Sequence, residues 1–220
     1  QDLRYSAAQN QVFFAAFDIL DRDRWLSYDE CQKIIKEIPG FRWVPLSYMV
    51  PFNKELFRSE AKKNKCTLAF KSVISTGKNT SEIHHKPTDK RIGKGFLMLD
   101  FGVKYNGYCS DVTRMFYIGK PTKKEKEIYN LVLLAQKTAL MYSQPGVYAA
   151  DVDLIARNIM LNYFSHFRHG LGHGVGKNIH ESPHLRPRGR RILRENNVVT
   201  IEPGLYFDNA SMQMRISGRM

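Results

Sequence analysis

Residues 97–117 read LMLDFGVKYNGYCSDVTRMFY, two apolar and aromatic arms joined by Asn106-Gly107, and the fold turns on how those arms pair. Asn-Gly between such arms is the strongest short-range signal for a two-residue hairpin turn, because that turn needs positive φ at both central positions. With Tyr105 opposite Tyr108, position 102 falls opposite 111 and position 100 opposite 113. Side chains alternate along a strand, so Asp100 and Asp111 share a face as a diagonal pair. Gly102 lies across from Asp111 and is expected to leave the space beside that carboxylate empty. Two carboxylates on one face of an apolar hairpin repel each other and are costly to bury unless positive charge lies between them. The hairpin alone leaves two readings open: a solvated rim, or a site for a pair of divalent cations.

The chain has 220 residues, 43% hydrophobic and 25% charged, the balance of a folded domain rather than a disordered one. No apolar run approaches the roughly 18 residues a membrane span needs, and the N-terminus lacks a basic-then-apolar leader pattern. A cytoplasmic location is the expectation, with the start at Gln1 suggesting a fragment or a processed form. Cys31, Cys66 and Cys109 are too few and too scattered for a disulfide framework or a zinc knuckle. The formal charge of +13 would suit polyanions, yet the basic residues are spread out, denser only at 61–65, 120–126 and 186–194. That distribution suits solvated surface better than a nucleic-acid groove.

Outward from the hairpin, apolar residues at helical spacing (Val12, Phe13, Ala16, Phe17, Leu20) predict a helix over 5–21. Ser27 with Glu30 resembles a capping box opening a second helix, through Cys31, Ile34 and Ile35, that stops near Pro39-Gly40. Pro45 and Pro51 make 41–53 an irregular covering segment. Residues 54–65 read as a third helix and Leu68–Ser75 as a strand ending at Gly77-Lys78-Asn79. His84 and His85 lie in a loop before Pro87, either plain surface or part of the site. After the hairpin, 122–143 reads as a helix with Ile128, Leu131, Leu134 and Ala135 inward, ended by Pro145-Gly146, and 150–163 as another. With no repeat and no low-complexity linker, a single domain is expected over 1–220, residues 1–60 being its looser part.

Residues 169–183, HGLGHGVGKNIHESP, cannot be helical, since Gly170, Gly172, Gly174 and Gly176 would each cost about 1 kcal/mol there. Alternate glycines suit a backbone packed closely on something else, and they leave His173 and His180 as the bulky polar groups. Val198–Phe207 (VVTIEPGLYF) reads as a strand interrupted at Pro203-Gly204, with Glu202 its one acid. Aspartate, histidine and glutamate are the donors that hold manganese, cobalt or zinc without cysteine, enough for a metal-assisted hydrolase.

The ordered set LDFG, SDVTR, HGLGHGVG, IHESP and TIEPGLY resembles the catalytic domain of the pita-bread metallopeptidases, the family of methionine aminopeptidase, aminopeptidase P and prolidase. The resemblance covers roughly 68–216 and implies an α+β fold, a curved antiparallel sheet with helices on its outer face. The separate N-terminal domain that usually precedes this fold in proline-specific members is expected to be absent. It implies Asp100, Asp111, His173 and Glu202 as four of five ligands to two divalent metal ions, manganese first, cobalt or zinc as alternatives. Glu202 doubles as general base, His180 stabilises the tetrahedral intermediate, and His84 contacts substrate and assists proton transfer. His169 lies where proline-specific members carry one more histidine. The implied reaction is hydrolysis of Xaa-Pro bonds by a metal-activated water, the partner a peptide with proline after the scissile bond, with a homodimer left open. One position departs from the pattern. The family's fifth ligand is the glutamate of an R-I-E motif, and here Arg215-Ile216 is followed by Ser217, which puts the second metal site in question. A catalytically inactive relative, serving as a protein- or RNA-binding module on the same fold, is the alternative.

Overall fold

The structure, a computed structural model, describes residues 65–86, 92–209 and 212–217, five short strands within 3–43, and the helical positions Ser59 and Lys62. The chain divides into two compact units, residues 1–53 and 54–220, where the sequence reading set one domain over 1–220.

In the first unit, β1 (Leu3–Ala7) pairs antiparallel with β2 (Gln11–Ala16), which pairs in parallel with β5 (Phe41–Trp43); β3 (Leu20–Asp21) and β4 (Arg24–Trp25) form a separate ladder. The helix predicted over 5–21 is therefore a hairpin, and the loop predicted from 41 begins as a strand. The apolar residues at 12–17 run unbroken, and periodicity cannot separate helix from strand in such a run. Val12, Phe13 and Phe14 are β-branched or aromatic, which suits a pleated surface. The second predicted helix, from Ser27, lies outside the described residues, as does most of the third.

In the second unit the hairpin has the predicted register. Tyr105 pairs with Tyr108 between β9 (Val103–Tyr105) and β10 (Tyr108–Cys109). Asp100 pairs with Thr113 between β8 (Gly95–Phe101) and β11 (Val112–Ile118). Asn106 and Gly107 hold φ of 48° and 84°. The ladder breaks at Gly102, where a Cβ would run into the Ser110 carbonyl and the Phe70 ring. The space beside the Asp111 strand is thus filled by a neighbouring backbone and an aromatic edge, contrary to the expected gap. The predicted strand over 68–75 breaks at the same level. β6 (Thr67–Leu68) pairs with β9 and β7 (Val73–Thr76) with β8, so residues 69–72 oppose only 101–102, tied by Ala69 N–H to the Gly102 carbonyl at 3.0 Å.

Helix α1 (Lys123–Tyr142) starts in a full capping box. Thr122 Oγ1 accepts from Glu125 N at 3.2 Å while Thr122 N donates to Glu125 Oε2 at 2.6 Å. Its inward face is Ile128, Val132, Ala135 and Ala139; Leu134, expected inside, is 54% exposed. The face spacing of 4, 3 and 4 follows the 3.6-residue turn. Helix α2 (Ala149–Ile159) buries Val152, Asp153, Ala156 and Arg157 and ends earlier than predicted, in a 3-10 segment at Leu161–His166. Both helices join the core of Phe96, Met160, Leu171, Leu185, Ile201 and Leu205. The remaining ladders are β12 (Gly172–Gly174) with β13 (Glu181–Leu185), and β14 (Gly204–Asn209) with β15 (Met212–Ser217). No helix among the described residues is long and apolar enough to cross a membrane.

Partial burial pushes the Glu125 carboxyl up, but its bonds to Thr122 and Tyr117 outweigh this and hold it below the ordinary 4.5. Thr122→Ala should lower stability by about 1 kcal/mol, read from the urea midpoint. The Glu125 contribution is complete above pH 4.5 and is lost as pH falls through the depressed value, so the midpoints of wild type and a Glu125→Gln variant should converge in acid.

Candidate metal centre

Four backbone segments meet at the site. The end of β8 supplies Asp100, and the start of β11 follows Asp111; both side chains are buried, at 5% and 9% exposure. Strand β12 supplies His173 and lies along residues 198–202, with Thr200 N donating to the His173 carbonyl at 2.8 Å and Glu202 N to the Leu171 carbonyl at 2.7 Å. That approach is closed to any side chain at Gly172, whose Cβ would meet the Thr200 carbonyl. The hairpin is tied to the glycine-rich segment by Cys109 N–H to the Gly176 carbonyl, 2.7 Å, and Lys104 Nζ to the Lys177 carbonyl, 2.8 Å.

His173 is held on three sides. Its N–H donates to Thr200 Oγ1 at 3.0 Å, and its Nδ1 lies 3.0 Å from the Gly174 carbonyl. A carbonyl only accepts, so Nδ1 carries the proton and Nε2 of the neutral ring presents a lone pair. Nε2 is buried with no hydrogen bond of sound geometry, although Glu202 Oε1 lies 3.1 Å and Asp111 Oδ2 3.6 Å away. Thr200 Oγ1 donates to Glu202 Oε1 at 2.8 Å and so fixes that carboxylate. Three electron-rich atoms facing one another repel unless a proton or a cation lies among them.

Donor atoms bound at about 2.1 Å to one small divalent cation stand about 3.0–3.4 Å apart at octahedral to tetrahedral angles. Of the observed separations, 3.1 Å falls within that range and 3.6 Å lies just above it, and the donor types suit a hard or borderline divalent ion. Among the described residues no group of three or more His, Cys, Asp or Glu side chains is set to hold a metal ion; Asp111 and Glu202 each lie near His173 Nε2. Burial pushes His173 down, but Glu202, the Gly174 carbonyl and Asp111 outweigh it and raise its pKa above 6.5.

A cavity of about 440 Å³ opens beside this cluster, lined among others by His84, Asp100, Asp111, Ile179, His180 and Phe70. The structure thus brings Asp100, Asp111, His84 and His180 to one cavity. His173 reaches the group through Asp111 and through its ring contact with His180, centroids 4.3 Å apart. His84 is exposed, whereas its neighbour His85 turns to Glu82, Nδ1 to Oε2 at 2.7 Å. His169 is set apart from this lining: its ring is edge-on to Phe167 and Tyr206, and its Nδ1 lies 2.7 Å from the Gly170 carbonyl. Ser217 lies opposite Gly204 in the β14–β15 ladder, two residues beyond Glu202 along the partner strand.

Two supports were not foreseen. Thr200, within the TIEPG run, joins His173 to Glu202. The buried pair Asp153–Arg157 on α2, Oδ2 to Nε at 2.7 Å, reaches the backbone of the histidine segment. The signal for the second was present in sequence: opposite charges four apart beside Val152 and Ala156 fall on the apolar face of the helix.

Comparison with known proteins identifies the family. The model of metallopeptidase family M24 matches residues 52–218, and the chain belongs to that family, with its pita-bread fold and divalent metal chemistry. The Xaa-Pro dipeptidase of Pyrococcus horikoshii is 45% identical over 142 residues, 63% of this chain and 40% of the relative. A putative Xaa-Pro aminopeptidase of Mycoplasma genitalium is 37% identical over 82% of this chain and 55% of its own length. The crystal structure of a prolidase from Pyrococcus horikoshii superposes with a TM-score of 0.70 at 30% identity, covering 88% of this chain and 67% of that one. The chain thus spans about half the length of the curated relatives it matches.

The raised His173 pKa has a definite sign. In cation-free protein its contacts contribute stability below pH 6.5, lost as pH rises through the raised value. A divalent cation competes with that proton, so the rise in Tm caused by added Mn²⁺ should grow between about pH 5.5 and about pH 8. A Mn²⁺-induced shift independent of pH would remove His173 from the ligand set.

Proposed function

We propose that this chain is the catalytic part of a metal-dependent exopeptidase hydrolysing Xaa-Pro bonds, of aminopeptidase P or prolidase type, with residues 54–220 as the catalytic unit. The observation that carries this reading is His173 Nε2 buried near Glu202 Oε1 and Asp111 Oδ2, 3.1 and 3.6 Å away, beside a cavity that Asp100, His84 and His180 also line. The Xaa-Pro names of the relatives at 37–45% identity support the substrate class.

Asp100, Asp111, His173 and Glu202 are the ligands in this reading, for two divalent ions with manganese preferred. Bound, the ions polarise the scissile carbonyl and acidify a water near neutral pH. Glu202 takes a proton from the attacking water, its carboxylate held by the bond that its Oε1 accepts from Thr200. His180 donates to the oxyanion as it develops. The proline nitrogen leaves as a secondary amine and needs one proton, which His84 supplies from the cavity wall.

Ser217 occupies the sequence position of the family's bridging glutamate and brings no charge. Asp111 is then the remaining bridge, and the second ion is held weakly. The chain should bind one Mn²⁺ tightly and turn over Xaa-Pro peptides slowly. Ser217→Glu should raise the stoichiometry to two, with activity up about 10–100-fold or more, and Asp111→Asn should abolish hydrolysis. Two tightly bound ions in the original chain, with no gain from Ser217→Glu, would end the impairment argument, and full activity in Asp111→Asn would end the metal assignment. Ser217 and the +13 charge favour a second reading, a binding module without catalysis. Silence of both proteins in the assay, with salt-sensitive retention on a polyanion column, would support it.

A further inference from the structure

We propose that the buried Asp153–Arg157 pair is a positioning device for the metal centre, strapping the backbone of residues 167–171 to α2 and thereby setting His173 against Glu202. The proposal deepens the metallopeptidase reading and rests on it for its catalytic consequence. The strap itself is a matter of hydrogen bonds within this chain.

The two side chains, 1% and 7% exposed, spend their hydrogen bonds on alternate residues of one segment. Arg157 Nη1 donates to the Phe167 carbonyl at 3.1 Å and Nη2 to the His169 carbonyl at 2.7 Å, while Nε and Nη2 hold the two oxygens of Asp153 at 2.7 and 3.3 Å. Asp153 Oδ1 accepts from Leu171 N at 2.9 Å. The guanidinium lies flat enough over Phe167 to place its carbon 4.3 Å from the ring centroid, a stacked cation that a lysine would not reproduce.

Leu171 is the relay. Its N–H is held by Asp153, and its carbonyl accepts from Glu202 N at 2.7 Å. Two residues on, His173 is held by both the hydroxyl and the N–H of Thr200. The helix pair is therefore joined through one residue to the backbone of Glu202, and a shift at Leu171 changes the spacing between His173 Nε2 and Glu202 Oε1.

Stability alone does not explain a buried pair here. Desolvation offsets most of the attraction between buried ions, and apolar residues of similar volume commonly serve a core as well or better. What apolar residues could not do is hold two carbonyls and one N–H of a segment with glycines at 170 and 172. Phe167 and Leu171 pack in the core, but the glycine between them adds no side chain to fix the backbone.

The test is Arg157→Lys in the full chain, with the double variant Asp153→Leu/Arg157→Met as a second protein that retains core volume without charge. Amide hydrogen exchange in the absence of metal should show selective loss of protection at Leu171, His173 and Glu202, with the inward face of α1 unchanged. Mn²⁺ affinity by calorimetry should fall about 10–100-fold, and kcat should fall with KM little altered. A uniform loss of protection across α1 and the strap, or no change at Leu171 and Glu202, would mean that the pair is only structural and overturns the proposal. Absence of Mn²⁺ binding by the parent chain would defeat the metal reading separately, because the exchange pattern is read without metal.

Discussion

Glu202 and Asp111 converge on the buried Nε2 of His173, and bringing two carboxylates and an imidazole together out of water is the constraint that residues 54–220 are built around. Left to themselves these groups would separate or take up a proton. The fold denies them the first course. Thr200 binds both Glu202 and the His173 backbone, the Gly174 carbonyl fixes the imidazole tautomer, and Asp111 follows a ladder broken at Gly102. The carboxylates and the imidazole are thus held together by bonds made elsewhere in the fold, and the chain belongs to the M24 family.

The two glycines at the centre of this assembly do related work. At Gly102 the Ser110 carbonyl occupies the place a side chain would take, and at Gly172 the Thr200 carbonyl does. In both cases a strand comes close enough to another backbone that the carboxylate and imidazole carried nearby fall within contact of each other. The charge balance of the whole chain runs the other way, at +13. Salt screens such a distant field within about 10 Å, so a cationic surface and a buried acidic centre coexist without conflict.

Much of this was legible because it is local. Asn106-Gly107 dictates the turn, the turn dictates the register, and the period of two then carries Asp100 and Asp111 to one face. The helix over 122–143 was equally legible from its periodic apolar residues and its Pro145-Gly146 stop. The failures share a different cause. The run at 12–17 is apolar throughout and has no period to read. Leu134 was set inward by counting apolar residues, whereas the buried stripe passes through Val132 and Ala135 and leaves it in solvent. The gap expected beside Asp111 is filled by Phe70 and Ser110, which come from outside the two paired positions considered.

The sequence by itself determined the hairpin register, the glycine spacing that forbids a helix at 169–183, and the donor types, because each depends on neighbours a few residues apart. Only the tertiary structure decided that Thr200 would clamp His173 to Glu202, that His169 would turn to Phe167 and Tyr206, and that a charged pair on α2 would hold the 167–171 backbone. Each of those arrangements needs a contact between residues 12 to 37 positions apart: Arg157 with His169, Asp153 with Leu171, His173 with Thr200, and His169 with Tyr206. No local rule encodes a contact across such a loop; it exists only when the strands and the helix have already packed.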